Sequence, residues 1–195
     1  MPEPEAELRS RVVDGAIVAY RSGDFHTVGY AEIARAAEVD VEDVRRAYPL
    51  WDLLIVAVMD RWNNGSRREL RPVAEQDGVV AYLRARLRAG LDEPSLVRLR
   101  IALLSAASTP GHPAEGWFRA QYAHSFDDVT LGLARDVVAG REPRGTTARH
   151  AAEQLVALYE GLQLQAVLRD DTEVLDAFDR AVARLRVGWR TVARV

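Results

Sequence analysis

Two adjacent arginines, Arg45 and Arg46, are the side chains of this sequence best suited to recognition chemistry. A guanidinium group can bind the edge of guanine or a phosphate through two parallel hydrogen bonds. Both arginines fall in the stretch VEDVRRAY, residues 41–48, and Tyr48 and Tyr30 are further candidates for contact with DNA. The same stretch carries Glu42 and Asp43, which a polyanion would repel. The opposing charges leave two hypotheses open at this point, a helix that binds DNA and one that only keeps that shape.

A pair of short helices would have to position these arginines. Glycine is tolerated as the N-cap of a helix, so a helix can begin after Gly29. Ile33 and the small residues that follow it are predicted to lie in this helix. A second short helix is predicted from about Val41 to Tyr48, because Pro49 disfavours helical geometry in the residue before it. A helix-turn-helix also needs small residues at the helix crossing, an apolar residue in the turn and an inward residue in the second helix. Ala34 and Ala37 are the small residues at the crossing, Val39 is the apolar residue of the turn, and Val44 is the inward residue of the second helix.

No other cluster in the sequence predicts catalysis or cofactor binding. His124 has helical spacing to Asp127 and Asp128, but with no third ligand and no cysteine the spacing is typical of a solvated helix face. The glycines are too scattered for a phosphate-binding loop, and Ser105 and Ser108 have no partnered base. We therefore expect no enzyme activity, no cofactor and no metal.

Composition indicates a globular protein of the cytoplasm. The chain has 195 residues, a formal net charge of −3, no cysteine and no lysine, so all 26 of its basic residues are arginine. No apolar run approaches the roughly 20 residues that span a bilayer, and the first residues are too acidic for a secretory signal. The net charge gives no global indication of nucleic-acid binding.

Helical periodicity runs almost throughout and predicts an all-α fold of about nine helices. We expect a helix-turn-helix domain over residues 1–50 and a larger helical ligand-binding and dimerisation domain over residues 51–195. A long helix from Trp51 is expected to fray at Asn63-Asn64-Gly65 and to break at Pro72 and at Asp77-Gly78. The apolar segment Leu96 to Ala107 predicts a central buried helix.

Residues 8–58 resemble the TetR family of bacterial transcriptional regulators. The resemblance rests on Gly23-Asp24-Phe25, Ile33-Ala34-Arg35-Ala36-Ala37, Val39, and Tyr48 with Asp52-Leu53-Leu54. Leu158 to Gln165 is similar to the penultimate helix of many such regulators. The resemblance implies a ligand-responsive regulator, commonly a repressor, that binds operator DNA as a homodimer.

The sequence departs from the family pattern where DNA would be contacted. The family commonly has glycine in the turn, where this chain has Glu38, and tyrosine in the recognition helix, where it has Arg45. Residues 1–48 contain ten acidic and six basic residues, a net charge of −4. Asp40, Glu42 and Asp43 could instead cap their helix and favour its dipole. The alternative is a dimeric small-molecule or protein-binding module with a vestigial helix-turn-helix. A positive face joining Arg45 and Arg46 to other arginines would favour DNA binding, and acidic side chains on that face would favour the alternative.

The larger domain is expected to bind a small apolar or aromatic ligand and to form the homodimer. Apolar and aromatic candidates for the pocket wall are Trp62, Leu103, Trp117, Phe118, Tyr122 and Tyr159. The last two helices have broad apolar faces, and the candidate dimer residues on them are Leu162, Phe178, Leu185 and Trp189. For both sets, ordinary packing within the monomer is the alternative.

Overall fold

The computed structural model describes residues 4–23, 26–169 and 173–191, and within these ranges the only regular elements are nine α-helices, as the sequence predicted. The helices are α1 (Glu5–Ser22), α2 (Tyr30–Ala37), α3 (Val41–Ala47), α4 (Trp51–Gln76), α5 (Val79–Asp92), α6 (Pro94–Ala107), α7 (Glu115–Val138), α8 (Ala148–Leu168) and α9 (Val174–Thr191). Asp24 and Phe25, which carry part of the family resemblance, lie outside the described residues. No helix in the described ranges is long and apolar enough to cross a membrane.

The chain forms two compact units that are discontinuous in sequence. The first unit comprises Met1–Gly65 with Glu93–Phe118, and the second comprises Ser66–Asp92 with Arg119–Val195. Because the units are defined by spatial contacts, one of their boundaries falls within α4 and another within α7. The predicted domain boundary after residue 50 therefore stays a prediction.

The first unit is built on a core that α1 shares with α2, α3, α4 and α6. Leu8, Val12, Ala16 and Tyr20 recur every four residues along α1 and are all buried there. Gly15 allows α1 to pack directly on the end of α2, because a Cβ at this position would lie 2.6 Å from the main-chain nitrogen of Ala37. This close approach fixes where α2 ends and where the turn to α3 begins.

The second unit has its own core, in which α5, α7, α8 and α9 pack around Leu133, Leu155 and Phe178. A buried carboxylate ties two of these helices together, since Asp136 of α7 accepts a hydrogen bond of 2.7 Å from the main-chain N–H of Val79 at the start of α5. The Nε of Arg141 donates to the other Asp136 oxygen at 2.8 Å.

A second buried carboxylate, Glu142, anchors α9 in the same unit. The Nε of Arg186 donates to Glu142 Oε2 at 2.8 Å, and this hydrogen bond raises the pKa of the guanidinium.

Two expectations about helices are corrected by the structure. Helix α4 neither frays at Asn63-Asn64-Gly65 nor breaks at Pro72, and it continues to Gln76. Pro72 lies on the exposed side of the helix, where water can satisfy the one carbonyl that loses its partner. Helix α6 is only partly buried, through Leu96, Val97, Leu99, Leu103 and Ala107. Its other side is exposed, because the hydrophobicity of this segment comes partly from small residues such as Ala102 and Ala106 that need no burial.

Candidate nucleic-acid interface

Helices α2 and α3 form the helix-turn-helix that the sequence predicts. Gly29 occupies the N-cap of α2, and its N–H donates to the Glu32 carboxylate at 3.0 Å. Main-chain hydrogen bonds, from Glu32 itself and from Gly29, lower the pKa of the Glu32 carboxyl. Ile33, Ala34 and Ala37 are buried, so the small residues do lie at the helix crossing.

The turn between the two helices is held by α1. Glu38 adopts the left-handed conformation, with φ 55° and ψ 46°, at the position where a glycine is expected. The guanidinium of Arg11 donates to the carbonyl of Ala37 at 2.9 Å and to that of Glu38 at 2.8 Å. Val39 is half-buried and packs against the first core. Arg11 lies 26 residues before Ala37, so its contribution to the turn could not be predicted from local spacing.

Helix α3 presents one inward side and one outward side. Val44 and Ala47 are buried in the first core, whereas Glu42, Arg45 and Arg46 are exposed. We call these three exposed residues the outer face of α3. Asp40 occupies the N-cap, but its side chain makes no capping hydrogen bond, which corrects the expectation that it caps the helix.

Each arginine of the outer face is paired with a carboxylate of its own helix. Arg45 Nη1 lies 2.7 Å from Glu42 Oε1, and Arg46 Nη2 lies 2.5 Å from Asp43 Oδ1. Both pairs are at i,i+3 spacing and carry exposed side chains, apart from Asp43, of which 30% is exposed. The acidic side chains therefore share the surface with the arginines.

Aromatic side chains lie directly beneath Arg45. Its guanidinium carbon lies 5.5 Å from the centroid of the Tyr30 ring, within the range of a cation–π interaction. The Tyr30 ring packs edge-on against Trp51, with centroids 5.0 Å apart. Tyr48 is half-buried against the first core, and burial raises the pKa of its hydroxyl. The structure thus brings Tyr30 to Arg45, while Tyr48 contributes to the core.

The other arginines of α1 and α2 differ in their surroundings. Arg9 forms a 2.7 Å ion pair with Glu5, and Arg11 is engaged with the turn. Arg35 is exposed at the end of α2.

The predicted pocket residues fall into two different cores. Leu103 and Phe118 are buried in the first core, and Trp62 and Trp117 pack against it. Tyr159 is buried in the second core, while Tyr122 is 54% exposed.

Two neighbours of Tyr159 fix its ring and hydroxyl. The side-chain amide of Gln163 donates to its hydroxyl at 2.7 Å, and the guanidinium of Arg86 lies over its ring at 5.6 Å. The sequence did not predict that Arg86 would lie against Tyr159, because the two residues are far apart in the chain.

The residues expected at a dimer interface pack inside the second unit. Leu162, Phe178 and Trp189 are buried there, and Leu185 is half-buried against the same core. The exposed sides of α8 and α9 carry a different set of small and apolar residues. This set comprises Ala157, Gly161, Leu164 and Leu168 on α8 and Ala183, Val187 and Gly188 on α9, and we call it the outer face of α8–α9.

The described residues contain no group of three or more His, Cys, Asp or Glu side chains placed to hold a metal ion. His124 and Asp128 lie 4.0 Å apart on an exposed side of α7, and Asp128 also pairs with Arg67.

Solved structures with this arrangement of helices include transcriptional regulators of bacteria. A TetR-family transcriptional regulator from Streptomyces coelicolor is 22% identical with a TM-score of 0.67, and the match covers 95% of this chain and 97% of that one. The chain has the TetR-family fold. Salmonella enterica GusR is 17% identical with a TM-score of 0.65 over 100% and 99% of the two chains. A gamma-butyrolactone receptor is 16% identical with a TM-score of 0.53 over 97% and 95%. No family model matches the sequence, and comparison with curated proteins finds no significant match.

Helix α3 is the second helix of the helix-turn-helix. In such motifs the second helix enters the major groove, and its outward side chains contact base edges.

Proposed function

We propose that this chain is a cytoplasmic, ligand-responsive transcriptional regulator, a repressor that binds operator DNA as a homodimer through α3. The observation that carries this proposal is the exposure of Arg45 and Arg46 on the second helix of a helix-turn-helix whose inward residues are buried. The fold shared with TetR-family regulators supports the same class of function.

The ion pairs on α3 do not prevent its arginines from contacting DNA. An exposed pair at i,i+3 spacing contributes only about 0.3–0.5 kcal/mol, because solvent screens it and two side chains lose freedom. A well-placed bidentate arginine contact with a base is worth about 1–3 kcal/mol. The base contact is therefore favourable even where it weakens the ion pair. The carboxylates should also reduce non-specific attraction to phosphates.

The test is capture of genomic DNA fragments by the purified protein, followed by titration of a captured fragment. We expect Arg45→Ala combined with Arg46→Ala to weaken binding at least tenfold at fixed salt, since loss of about 1.4 kcal/mol is tenfold. The affinity should depend weakly on salt, because so acidic a domain neutralises few phosphates. Arg88→Ala with Arg149→Ala is the matched control, because these arginines are also exposed and paired within their helices. A steep salt dependence would show that basic groups outside α3 dominate.

A dimeric small-molecule or protein-binding module with a vestigial helix-turn-helix is the second candidate. It is favoured by the pairing of both α3 arginines with α3 carboxylates and by the net charge of −4 over residues 1–48. Failure of the wild-type protein to bind any fragment without ligand at low salt would refute the regulator and support this candidate.

We propose that the outer face of α8–α9 forms the homodimer contact. Small residues let helices approach closely, and Leu164 and Leu168 are 43% and 71% exposed. Leu164→Glu should give a monomer in sedimentation, whereas Leu131→Glu, at a leucine of α7 that is 57% exposed, should leave the dimer intact. Leu162→Glu would instead place a charge in the second core and destabilise the fold. A wild-type protein that sediments as a monomer would refute the dimer.

We propose that a small apolar or aromatic ligand controls the spacing of the two α3 helices in the dimer. Major grooves on one side of DNA recur every ~34 Å, so a ligand that favours another spacing would release the operator. Thermal shift against a library of such compounds should identify stabilising ligands, and those ligands should lower the affinity for DNA. A stabilising compound that leaves the affinity unchanged would contradict this mechanism.

A further inference from the structure

We infer that Glu42 and Arg45 act together to recognise a G·C base pair, with Arg45 on guanine and Glu42 on cytosine. This inference rests on the proposed function, because it assumes that α3 enters the major groove. It assigns Glu42 a part in DNA recognition, whereas the charge of this residue alone would count against binding.

The pair leaves hydrogen-bonding groups of opposite kinds side by side on the surface. Arg45 uses Nη1 to contact Glu42 Oε1 at 2.7 Å. Within the described ranges, Nε and Nη2 of Arg45 and Oε2 of Glu42 make no further hydrogen bond. The two side chains are 56% and 79% exposed, so these groups are accessible. Among the described residues, the pair therefore has two unengaged donors on Arg45 and one unengaged acceptor on the adjoining Glu42.

The major-groove edge of a G·C pair has the complementary order. Guanine presents two acceptors, N7 and O6, and cytosine then presents the N4 amino donor. Arginine bound to N7 and O6 and a carboxylate that accepts from N4 are both recognised contacts with these bases. An A·T pair presents acceptor, donor and acceptor, which leaves one arginine donor facing an amino group. The order of groups thus distinguishes the two base pairs.

The aromatic residues beneath Arg45 separate its role from that of Arg46. The Tyr30 ring packs on Trp51 and lies against the Arg45 guanidinium, and this cation–π contact favours the position of Arg45 next to Glu42. No aromatic ring lies against Arg46 in the part of the chain described, and the Asp43 carboxylate beside it is largely covered. A restrained arginine suits a base contact, whereas Arg46 suits a phosphate, which carries no sequence information.

The experiment uses the full-length protein and an operator fragment obtained by capture. Each guanine of a half-site is replaced in turn by 7-deazaguanine, which lacks the N7 acceptor but keeps base pairing. At one position per half-site we expect the wild-type affinity to fall several-fold, because one of the two hydrogen bonds of the bidentate contact is lost while O6 still accepts the other. In Arg45→Ala the same replacement should have no further effect. Inosine at that position is the matched control, because it removes only the minor-groove amino group and should leave the affinity unchanged.

Variants of the neighbouring residues test the division of roles. Glu42→Ala should reduce the preference for G·C over A·T at that position several-fold, even if overall affinity rises through reduced repulsion. Arg46→Ala should weaken binding equally for all sequences. If 7-deazaguanine has no effect at any guanine, or its effect persists in Arg45→Ala, the G·C assignment is overturned while the regulator stands. If no fragment is captured at all, both proposals fail.

Discussion

The close approach of α1 to α2 predicts that Gly15→Ala destabilises the first unit. A Cβ added at Gly15 would lie 2.5 Å from the Ala37 Cβ, 2.6 Å from its nitrogen and 2.7 Å from its Cα. Carbon atoms pack best at about 3.5–4.0 Å, so the helices would have to separate by roughly 1 Å. Two of the three atoms belong to the main chain and cannot move away by side-chain rotation. The substitution must therefore displace the end of α2 and with it the turn to α3.

The expected magnitude is the difference of two opposing effects. Overpacking of a close-packed core costs about 1–3 kcal/mol, and contact with main-chain atoms places this site at the upper end. Alanine is favoured over glycine inside a helix by about 1 kcal/mol. The net loss should be about 2 kcal/mol, which lowers the melting temperature of a chain of this size by about 4–8 °C.

The measurement is chemical and thermal unfolding, with Gly65→Ala as the matched control. Gly65 also lies inside a helix, but no atom lies within 4 Å of an added Cβ. We expect Gly65→Ala to stabilise the protein by about 0.5–1 kcal/mol, opposite in sign to Gly15→Ala. A Gly15→Ala protein as stable as the wild type would show that α1 and α2 can separate freely, and the packing argument would be wrong.

Three further predictions concern other sites. Glu38→Gly should stabilise by about 0.5–1 kcal/mol in chemical unfolding, because relief of about 1–2 kcal/mol of left-handed strain outweighs the added freedom of the unfolded chain; a loss would contradict the assigned conformation. Asp136→Ala should destabilise by about 2–3 kcal/mol, because the Val79 N–H and Arg141 both lose a buried partner; an unchanged unfolding midpoint would refute that role. Burial raises the pKa of Tyr20 to about 12, so its stabilising contribution is complete below the unfolded value of about 10 and is lost as the pH rises to about 12. Between those two pH values, the free energy of unfolding should fall less in Tyr20→Phe than in the wild type. Equal falls in the two proteins would contradict the raised pKa of Tyr20.

The helix-turn-helix was predictable because its requirements are local. Apolar spacing along α1, small residues at the crossing and Val39 in the turn each act within a few residues, and burial of Val44 follows from the same pattern. The charged residues of α3 could also be identified from the sequence, but their arrangement in space could not. The sequence places Glu42 three residues before Arg45, and only the fold brings Tyr30 beneath the guanidinium.

The dimer and pocket residues stay predictions, because an apolar stripe does not reveal which surface covers it. Leu162 and Phe178 lie on such stripes, and both are buried within the second unit. The exposed positions on the same helices are small residues such as Gly161 and Ala183, which a search for large apolar side chains passes over. Pro72 was misread for a related reason, since its effect depends on whether its side of α4 faces solvent.

The hydrogen bonds from Arg11 to the carbonyls of Ala37 and Glu38 limit how the DNA-facing segment can be transplanted. A chimera that received only residues 27–54 would have a turn with a strained Glu38 and two carbonyls without their guanidinium partner. We expect a functional graft to need α1 as well, with Arg11 and Gly15 both retained. The smallest exchangeable piece of this protein is therefore the three-helix assembly, and a library that varies α3 should be built on that assembly.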